Sequence, residues 1–160
     1  SRGANVISND VAISRLMPLR RRDARLVVSD GRRPPFRRRF ETVLVDAPCS
    51  ATGTIRKNPE LKWRLAEREL EEFATLQKEL LASALELADE FVIYSTCSLE
   101  PEENDEVIDA VLGTSSDFER VDATDLAPEG VQGWIDEGVL RLTPESGADG
   151  FTAFVLRRTR

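Results

Sequence analysis

The stretch Thr42-Val43-Leu44-Val45-Asp46-Ala47-Pro48-Cys49-Ser50 decides how this chain folds, and Phe91-Val92-Ile93-Tyr94-Ser95-Thr96-Cys97-Ser98 repeats its design. In each, four apolar residues that read as a buried parallel strand run into a turn of small residues carrying a thiol. A residue just beyond the carboxyl end of such a strand sits on the sheet edge where open α/β proteins build their sites. Two such edges facing one crevice predict paired thiol chemistry. Cys49 and Cys97 are the chain's two cysteines.

Outward from these strands the pattern alternates. Ala4 to Ser8 reads as a short strand ending at Asn9-Asp10, and Val11 to Arg22 as a helix that Pro18 interrupts or kinks. Leu26-Val27-Val28 is a second strand, closed by Ser29-Asp30-Gly31, and Arg32 to Arg39 with Pro34-Pro35 is loop. Between the cysteine motifs, Ala66 to Leu87 places Leu70, Phe73, Ala74, Leu76, Leu80, Leu81, Ala84, Leu85 and Leu87 at helical spacing and is the strongest helix in the chain. Pro101-Glu102-Glu103 opens another helix to about Leu112, its acids in the first turn where the helix dipole favours them. Val139 to Leu142 and Phe151 to Leu156 are strands. The expected architecture is α/β, a mostly parallel sheet with helices on both faces, in a single domain over residues 1–160.

Composition fits that reading. Of 160 residues, 41% are hydrophobic and 32% charged, the balance of a globular domain with a sizeable core. No run approaches the roughly 18 apolar residues of a membrane span, and the amino terminus lacks the layout of a signal peptide. The expected location is cytoplasmic, where two cysteines are reduced and reactive rather than a structural disulfide. The net charge of −7 conceals an asymmetry: residues 1–65 carry 15 Lys/Arg against 6 Asp/Glu, and residues 66–160 carry 7 against 23. Arg20-Arg21-Arg22, Arg32-Arg33 and Arg37-Arg38-Arg39, followed by Arg56, Lys57, Lys62 and Arg64, suit either a polyanion-binding face or a merely solvated one; their closeness in sequence to Cys49 favours nucleic acid. Asp10, Asp30 and Asp46 end three successive strands, positions from which carboxylates can reach a nucleotide's ribose and base, and also positions that Asp occupies simply as a turn former.

The segment Asp46-Ala47-Pro48-Cys49-Ser50-Ala51-Thr52-Gly53-Thr54-Ile55-Arg56-Lys57-Asn58-Pro59, together with Tyr94-Ser95-Thr96-Cys97-Ser98-Leu99-Glu100-Pro101-Glu102-Glu103-Asn104, resembles the RsmB/Sun/NSUN family of S-adenosylmethionine-dependent RNA cytosine-5 methyltransferases. Arg141-Leu142-Thr143-Pro144 and Asp149-Gly150-Phe151-Thr152-Ala153-Phe154 look like the family's last conserved stretch, so the resemblance runs from about Asn9 to Leu156. It implies a Rossmann-like class I methyltransferase fold and a role in methylating rRNA or tRNA, with no metal. Cys97 matches the nucleophile that adds to carbon 6 of cytosine, and Cys49 the second cysteine that assists product release. Asp10, Asp30 and Asp46 match acids that contact the methyl donor S-adenosyl-L-methionine, Asp46 also facing the ring near nitrogen 3. Arg56 and Pro48 match substrate-binding positions, and Pro59 the shape of the same loop.

The chain departs from the family in three places. The first strand and its glycine-rich loop are absent, so it corresponds to the carboxyl two-thirds of a catalytic domain. The Asp10 to Asp30 interval is tight, and Ala88-Asp89-Glu90 stands where a Pro-Gly-Gly turn is usual. Two other readings stay open: an RNA-binding remnant without donor binding, and a DNA cytosine methyltransferase using Cys49, which the motif around Cys97 disfavours.

Overall fold

The computed structural model of the chain describes residues 5–22, 25–64, 66–115 and 117–159, which fall into two compact units, Ser1–Arg37 and Arg38–Arg160. The side chains of Arg21, Arg22, Lys62 and Arg64, part of the predicted cationic face, and Ala4, the predicted start of the first strand, lie outside the described residues.

In the first unit, strand β1 (Ile7–Asp10) pairs in parallel with β2 (Arg25–Val28), Asp10 standing opposite Val28. The connection is a single α-turn, α1 (Ile13–Leu16), followed by a 3-10 helix over Met17–Arg22. The predicted helix over Val11 to Arg22 is therefore tighter than expected. Pro18 has no N–H to give an i−4 carbonyl, so the α pattern lapses where it enters.

The second unit is built on β3 (Phe40–Asp46) and β4 (Ala88–Thr96), parallel neighbours with Val43 opposite Val92 and Asp46 opposite Ser95. Parallel strands need a crossover, supplied by α2 (Leu61–Arg64) and the 21-residue α3 (Glu67–Leu87). The Glu69 carboxylate accepts from the N–H of Ala66 at the start of α3, and Arg39 donates to the Glu86 carbonyl near its end, so both termini find partners. After β4 come a 3-10 turn at Pro101–Glu103 and α4 (Asp105–Leu112). The predicted helix from Pro101 is broken at Asn104, whose φ of −122° and ψ of −99° are not helical.

The chain ends in strands that run antiparallel: β5 (Phe118–Val121), β6 (Ile135–Asp136), β7 (Val139–Leu142) and β8 (Phe151–Arg158). β8 lies beside β4, with Tyr94 opposite Phe154, and the order across the sheet is β3-β4-β8-β7-β6, with β5 also pairing β8. The expected α/β sheet is thus parallel where the cysteine motifs leave it and antiparallel in its carboxyl part.

Alternation sorts the two faces. Val43 and Val45 on β3, Val92 and Tyr94 on β4, and Phe154 and Leu156 on β8 point to α3 and α4, where they meet Leu81, Ala84, Leu85, Val107, Ile108 and Val111. Tyr94, Phe154, Leu81 and Ile108 are fully buried, and each such side chain contributes on the order of 1.5–3 kcal/mol relative to exposure. The opposite face carries Thr42, Leu44, Phe91, Ile93 and Val155, and the segment through Ala123, Leu126 and Val131 closes part of it into a cleft of about 340 Å³. Asp46 continues the alternation of Thr42 and Leu44.

Several arginines are structural rather than free. Arg158 donates to the Leu85 and Ala88 carbonyls and lies over the Phe118 ring, and Arg120 and Arg141 share Asp105 while stacking on Phe154. Arg38 lies over Phe40.

Two glycines make a backbone crossing. The N–H of Gly53 donates to the Cys97 carbonyl and the N–H of Gly150 to the Gly53 carbonyl. A Cβ on Gly150 would lie 2.6 Å from the Gly53 Cα, and one on Gly53 would lie 2.7 Å from the Cys97 carbonyl oxygen. Gly150→Ala should therefore destabilise by about 1–3 kcal/mol, a fall in Tm of several degrees, read by thermal denaturation. Gly130→Ala, where a Cβ meets nothing within 4 Å, is the control and should melt with the unaltered chain.

Candidate active site

The parallel pairing of β3 and β4 brings the two cysteine turns together. Asp46 is opposite Ser95, and just beyond, the Ala47 N–H donates to the Ser95 carbonyl at 2.8 Å. The chain then turns through Pro48, Cys49 and Ser50 on one side and Cys97 and Ser98 on the other. The sulfurs of Cys49 and Cys97 lie 3.2 Å apart, both half-buried and both free thiols. The separation is that of a hydrogen bond in which one sulfur carries the shared proton.

That contact divides the thiols' acidities. The hydrogen bond from Cys49 lowers Cys97 from the ordinary 9.0 to about 7, against burial and the negative charges of Asp46 and Glu103, which raise it. Cys49, holding the proton in the same hydrogen bond and buried, is pushed far above the thiol range. The contact thus favours the thiolate on Cys97 and the proton on Cys49.

A buried polar network surrounds the sulfurs. Glu103, fully buried, accepts from the Ser50 N–H and from the Gln77 amide, each at 2.9 Å, and from the Ser50 hydroxyl. Gln77 also donates to the Pro48 carbonyl at 2.8 Å. Ser98 Oγ lies 3.2 Å from both Ser50 Oγ and Thr52 Oγ1, and Thr52 Oγ1 accepts from the Leu99 N–H. Asn104 donates to the carbonyls of Ser98 and Glu100 and accepts from Thr96 Oγ1, which is why it leaves the helix it was expected to join. Ala51, between the two motifs' shared hydroxyls, takes a left-handed φ of 61°, a strained value for alanine that the network around it maintains.

Sequence reasoning named neither Gln77 nor Glu103 as a site residue. Glu103 was read as a helix-dipole acid; its carboxylate instead turns inward to the Cys49 loop. The signal for Gln77 was present, since it lies in the buried stripe with Ala74, Leu81, Ala84 and Leu85, and a lone amide in an apolar stripe needs partners.

The remaining expected residues stand as follows. Asp46 is exposed at the end of β3, its one close polar neighbour among the described residues the Ser95 hydroxyl at 3.5 Å. Pro48 is exposed beside Cys49, its carbonyl taken by Gln77. Arg56 donates to the Gly147 carbonyl at 2.8 Å and Lys57 pairs with Asp149, so both tie the loop after Cys49 to the turn before Gly150. In the first unit, Asp10 accepts from the Ala12 N–H at 2.7 Å and pairs with Arg15. Asp30 is gripped by the backbone and guanidinium of Arg32, which hold its carboxyl down at about 2. Among the described residues no group of three or more His, Cys, Asp or Glu could hold a metal, and no helix is long and apolar enough to cross a membrane.

The thiol pair has a direct signature. Thiolate absorbance near 240 nm should rise with a midpoint about pH 7, the Cys97 thiolate fraction falling about tenfold per unit below it. Cys49→Ala should move that midpoint upward by about one unit or more, because it removes the donor that stabilises the Cys97 thiolate; an unchanged midpoint would show that the contact does not govern Cys97.

Comparison with known proteins shows the family to which the chain belongs. A family model described as 16S rRNA methyltransferase RsmB/F matches residues 2–157. The chain is 36% identical over 143 residues to ribosomal RNA small subunit methyltransferase B of Sodalis glossinidius, covering 86% of this chain and 31% of that protein. The protein of the same name from Erwinia tasmaniensis is 33% identical over 160 residues, covering 92% and 35%. A methyltransferase homologue from Pyrococcus horikoshii superposes with a TM-score of 0.71 at 26% identity, over 95% of this chain and 52% of that one. NSun6 from Pyrococcus horikoshii, solved with SFG, shares the fold with a TM-score of 0.80 at 23% identity, over 98% and 42%. The chain spans about a third of the length of these curated relatives. With a family model matched along nearly its whole length, the chain belongs to the RsmB/F family of 16S rRNA methyltransferases.

Proposed function

We propose that this chain carries the catalytic cysteines of an enzyme that transfers a methyl group from S-adenosyl-L-methionine to carbon 5 of a cytosine in RNA, ribosomal RNA above transfer RNA. The observation that carries the reading is the 3.2 Å thiol pair with its acidity divided in favour of Cys97. Carbon 5 of cytosine is too weak a nucleophile to take a methyl group unaided. The Cys97 thiolate adds to carbon 6, and the electron pair of the 5,6 double bond is made available at carbon 5. Once carbon 5 is methylated it still carries its proton. That proton passes to a solvent base, its bonding pair reforms the 5,6 double bond, and Cys97 leaves carbon 6 as a thiolate whose charge the Cys49 thiol, at hydrogen-bond distance, stabilises.

S-adenosyl-L-methionine supplies the electrophilic methyl group when bound. Asp46 fits it: the carboxylate stands exposed at the carboxyl edge of the parallel pair with, among the described residues, a single 3.5 Å contact, leaving acceptor capacity for a donor's polar groups or for the cytosine ring. Asp10 and Asp30 fit less freely, since each is engaged by its own turn. Proposed roles for Arg56 and Pro48 are likewise positional, Arg56 shaping the loop beside the base and Pro48 walling Cys49. RNA as partner agrees with opened or single-stranded segments, from which a base can be splayed out. We take residues 1–160 as one part of a single methyltransferase catalytic domain.

The engagement of Asp10 and Asp30 favours one second reading, an RNA-binding segment that does not hold the donor. Calorimetry with S-adenosyl-L-methionine separates the two, and binding lost on Asp46→Asn supports the enzyme. Incubated with small-subunit rRNA and tritiated methyl donor, the unaltered chain should label RNA. Cys97→Ala should abolish labelling, and Cys49→Ala should retain labelled RNA covalently on the protein, seen as a band resistant to denaturing electrophoresis. Labelling that survives Cys97→Ala would overturn the mechanism.

A further inference from the structure

The two sulfurs owe their spacing to something nearer than the sheet. Backbone hydrogen bonds join the two turns at Ala47 to Ser95 and at Gly53 to Cys97, two and four residues away from Cys49. Between those ties, the residues on either side of Cys49 are both held by one buried unit. Pro48 gives its carbonyl to the Gln77 amide at 2.8 Å, and Ser50 gives its N–H and its hydroxyl to Glu103. Gln77 and Glu103 are themselves bonded at 2.9 Å. Glu103 lies six residues beyond Cys97, and its own carbonyl accepts from the Tyr94 hydroxyl at 2.8 Å, which anchors it to the strand that carries Cys97.

The unit is bought at a cost. To present both amide hydrogens, to Pro48 and to Glu103, Gln77 leaves its Oε1 buried and without a partner among the described residues. An orphaned buried acceptor gives up its hydrogen bonds to water without replacing them and so destabilises the fold. Such a loss in a core stripe is retained where the geometry it enforces is needed.

We propose that Glu103 is the positioning residue that sets the separation of the Cys49 and Cys97 sulfurs, with Gln77 as its brace, for the two-thiol reaction read above. It touches neither sulfur; it holds the peptide on both sides of Cys49 against the strand that bears Cys97. The proposal rests on the paired-thiol reading of the site, while its test needs neither RNA nor methyl donor.

Length, rather than charge, is the property required. Glu103→Gln keeps the reach: its carbonyl can accept from Ser50 N–H and Gln77, and its amide can donate to the Ser50 hydroxyl, whose own proton can turn to Ser98 Oγ at 3.2 Å. Glu103→Asp keeps the charge but is one methylene shorter, so it either releases Ser50 or drags the Cys49 turn away from Cys97.

Phenylarsine oxide reports the spacing, because its arsenic exchanges one oxygen for the sulfurs of two thiols, whose two protons leave with that oxygen as one water, and it holds tightly only when both sulfurs can reach the same arsenic. On the 160-residue chain, Glu103→Gln should bind it as the unaltered chain does, and Glu103→Asp at least tenfold more weakly. In the Asp variant the Cys97 thiolate midpoint should also rise from about 7 towards the ordinary 9.0. Cys49→Ser gives the single-thiol baseline. Should Glu103→Asp fail to fold by circular dichroism, Gln77→Leu serves, since leucine suits the stripe of Leu81, Ala84 and Leu85 and removes only the brace; it should weaken arsenical binding several-fold. Wild-type affinity in a folded Glu103→Asp or Gln77→Leu chain, or an equal loss in Glu103→Gln, overturns the proposal. Methylation surviving Cys97→Ala would instead overturn the reaction and leave the spacing result standing.

Discussion

A hydrogen bond between two thiols is weak and short-ranged, and everything useful about this site depends on keeping one at 3.2 Å. Moved apart by an ångström or two, the sulfurs would lose the contact that most lowers Cys97, while burial and the charges of Asp46 and Glu103 would go on opposing its thiolate. The protein meets the requirement in layers. Parallel pairing of β3 with β4 puts the turns side by side, the Gly53–Gly150 crossing lets the following loop pass close to the Cys97 backbone, and the Glu103–Gln77 unit holds the peptide around Cys49.

The surroundings of the pair are polar where the rest of the core is not. Glu103, Gln77, Asn104, Ser50, Ser98, Thr52 and Thr96 are all buried, yet almost every polar atom among them has a partner. A network of this kind is demanding, since each unsatisfied member is costly, and it permits few alternative arrangements. Apolar packing of α3 and α4 on Tyr94 and Phe154 supplies stability without direction. The polar network supplies direction, and it lies between that packing and the thiols.

Charge follows a similar division of labour. The arginines that the sequence clusters near Cys49 do not all face solvent as free cations: Arg39 ends a helix, Arg32 grips Asp30, and Arg56 ties one loop to another. Part of the cationic field that composition suggests is therefore also structural, because a guanidinium with five donors can cap carbonyls and still remain exposed at its edge. The same economy holds Asp10 and Asp30 in their own turns.

Much of this was legible in the order of residues alone. Continuous apolar runs leading into Asp46 and Ser95, and the long stripe from Leu70 to Leu87, determine strands and helix through local burial, and the placement of Cys49 and Cys97 just past parallel strands predicts that they meet at one edge. What the sequence left undetermined depends on contacts between residues far apart in the chain. Asn104 breaks a helix whose spacing looks regular, donating its amide to the Ser98 and Glu100 carbonyls and accepting from Thr96. Glu103 in a first helical turn and Gln77 in an apolar stripe carry no mark of each other in the sequence, 26 residues apart. Only the tertiary fold, by bringing α3 against the turn after β4, converts a dipole acid and a misplaced amide into the unit that holds the thiols, because a buried hydrogen bond is decided by which donors and acceptors arrive together and not by the periodicity of either segment.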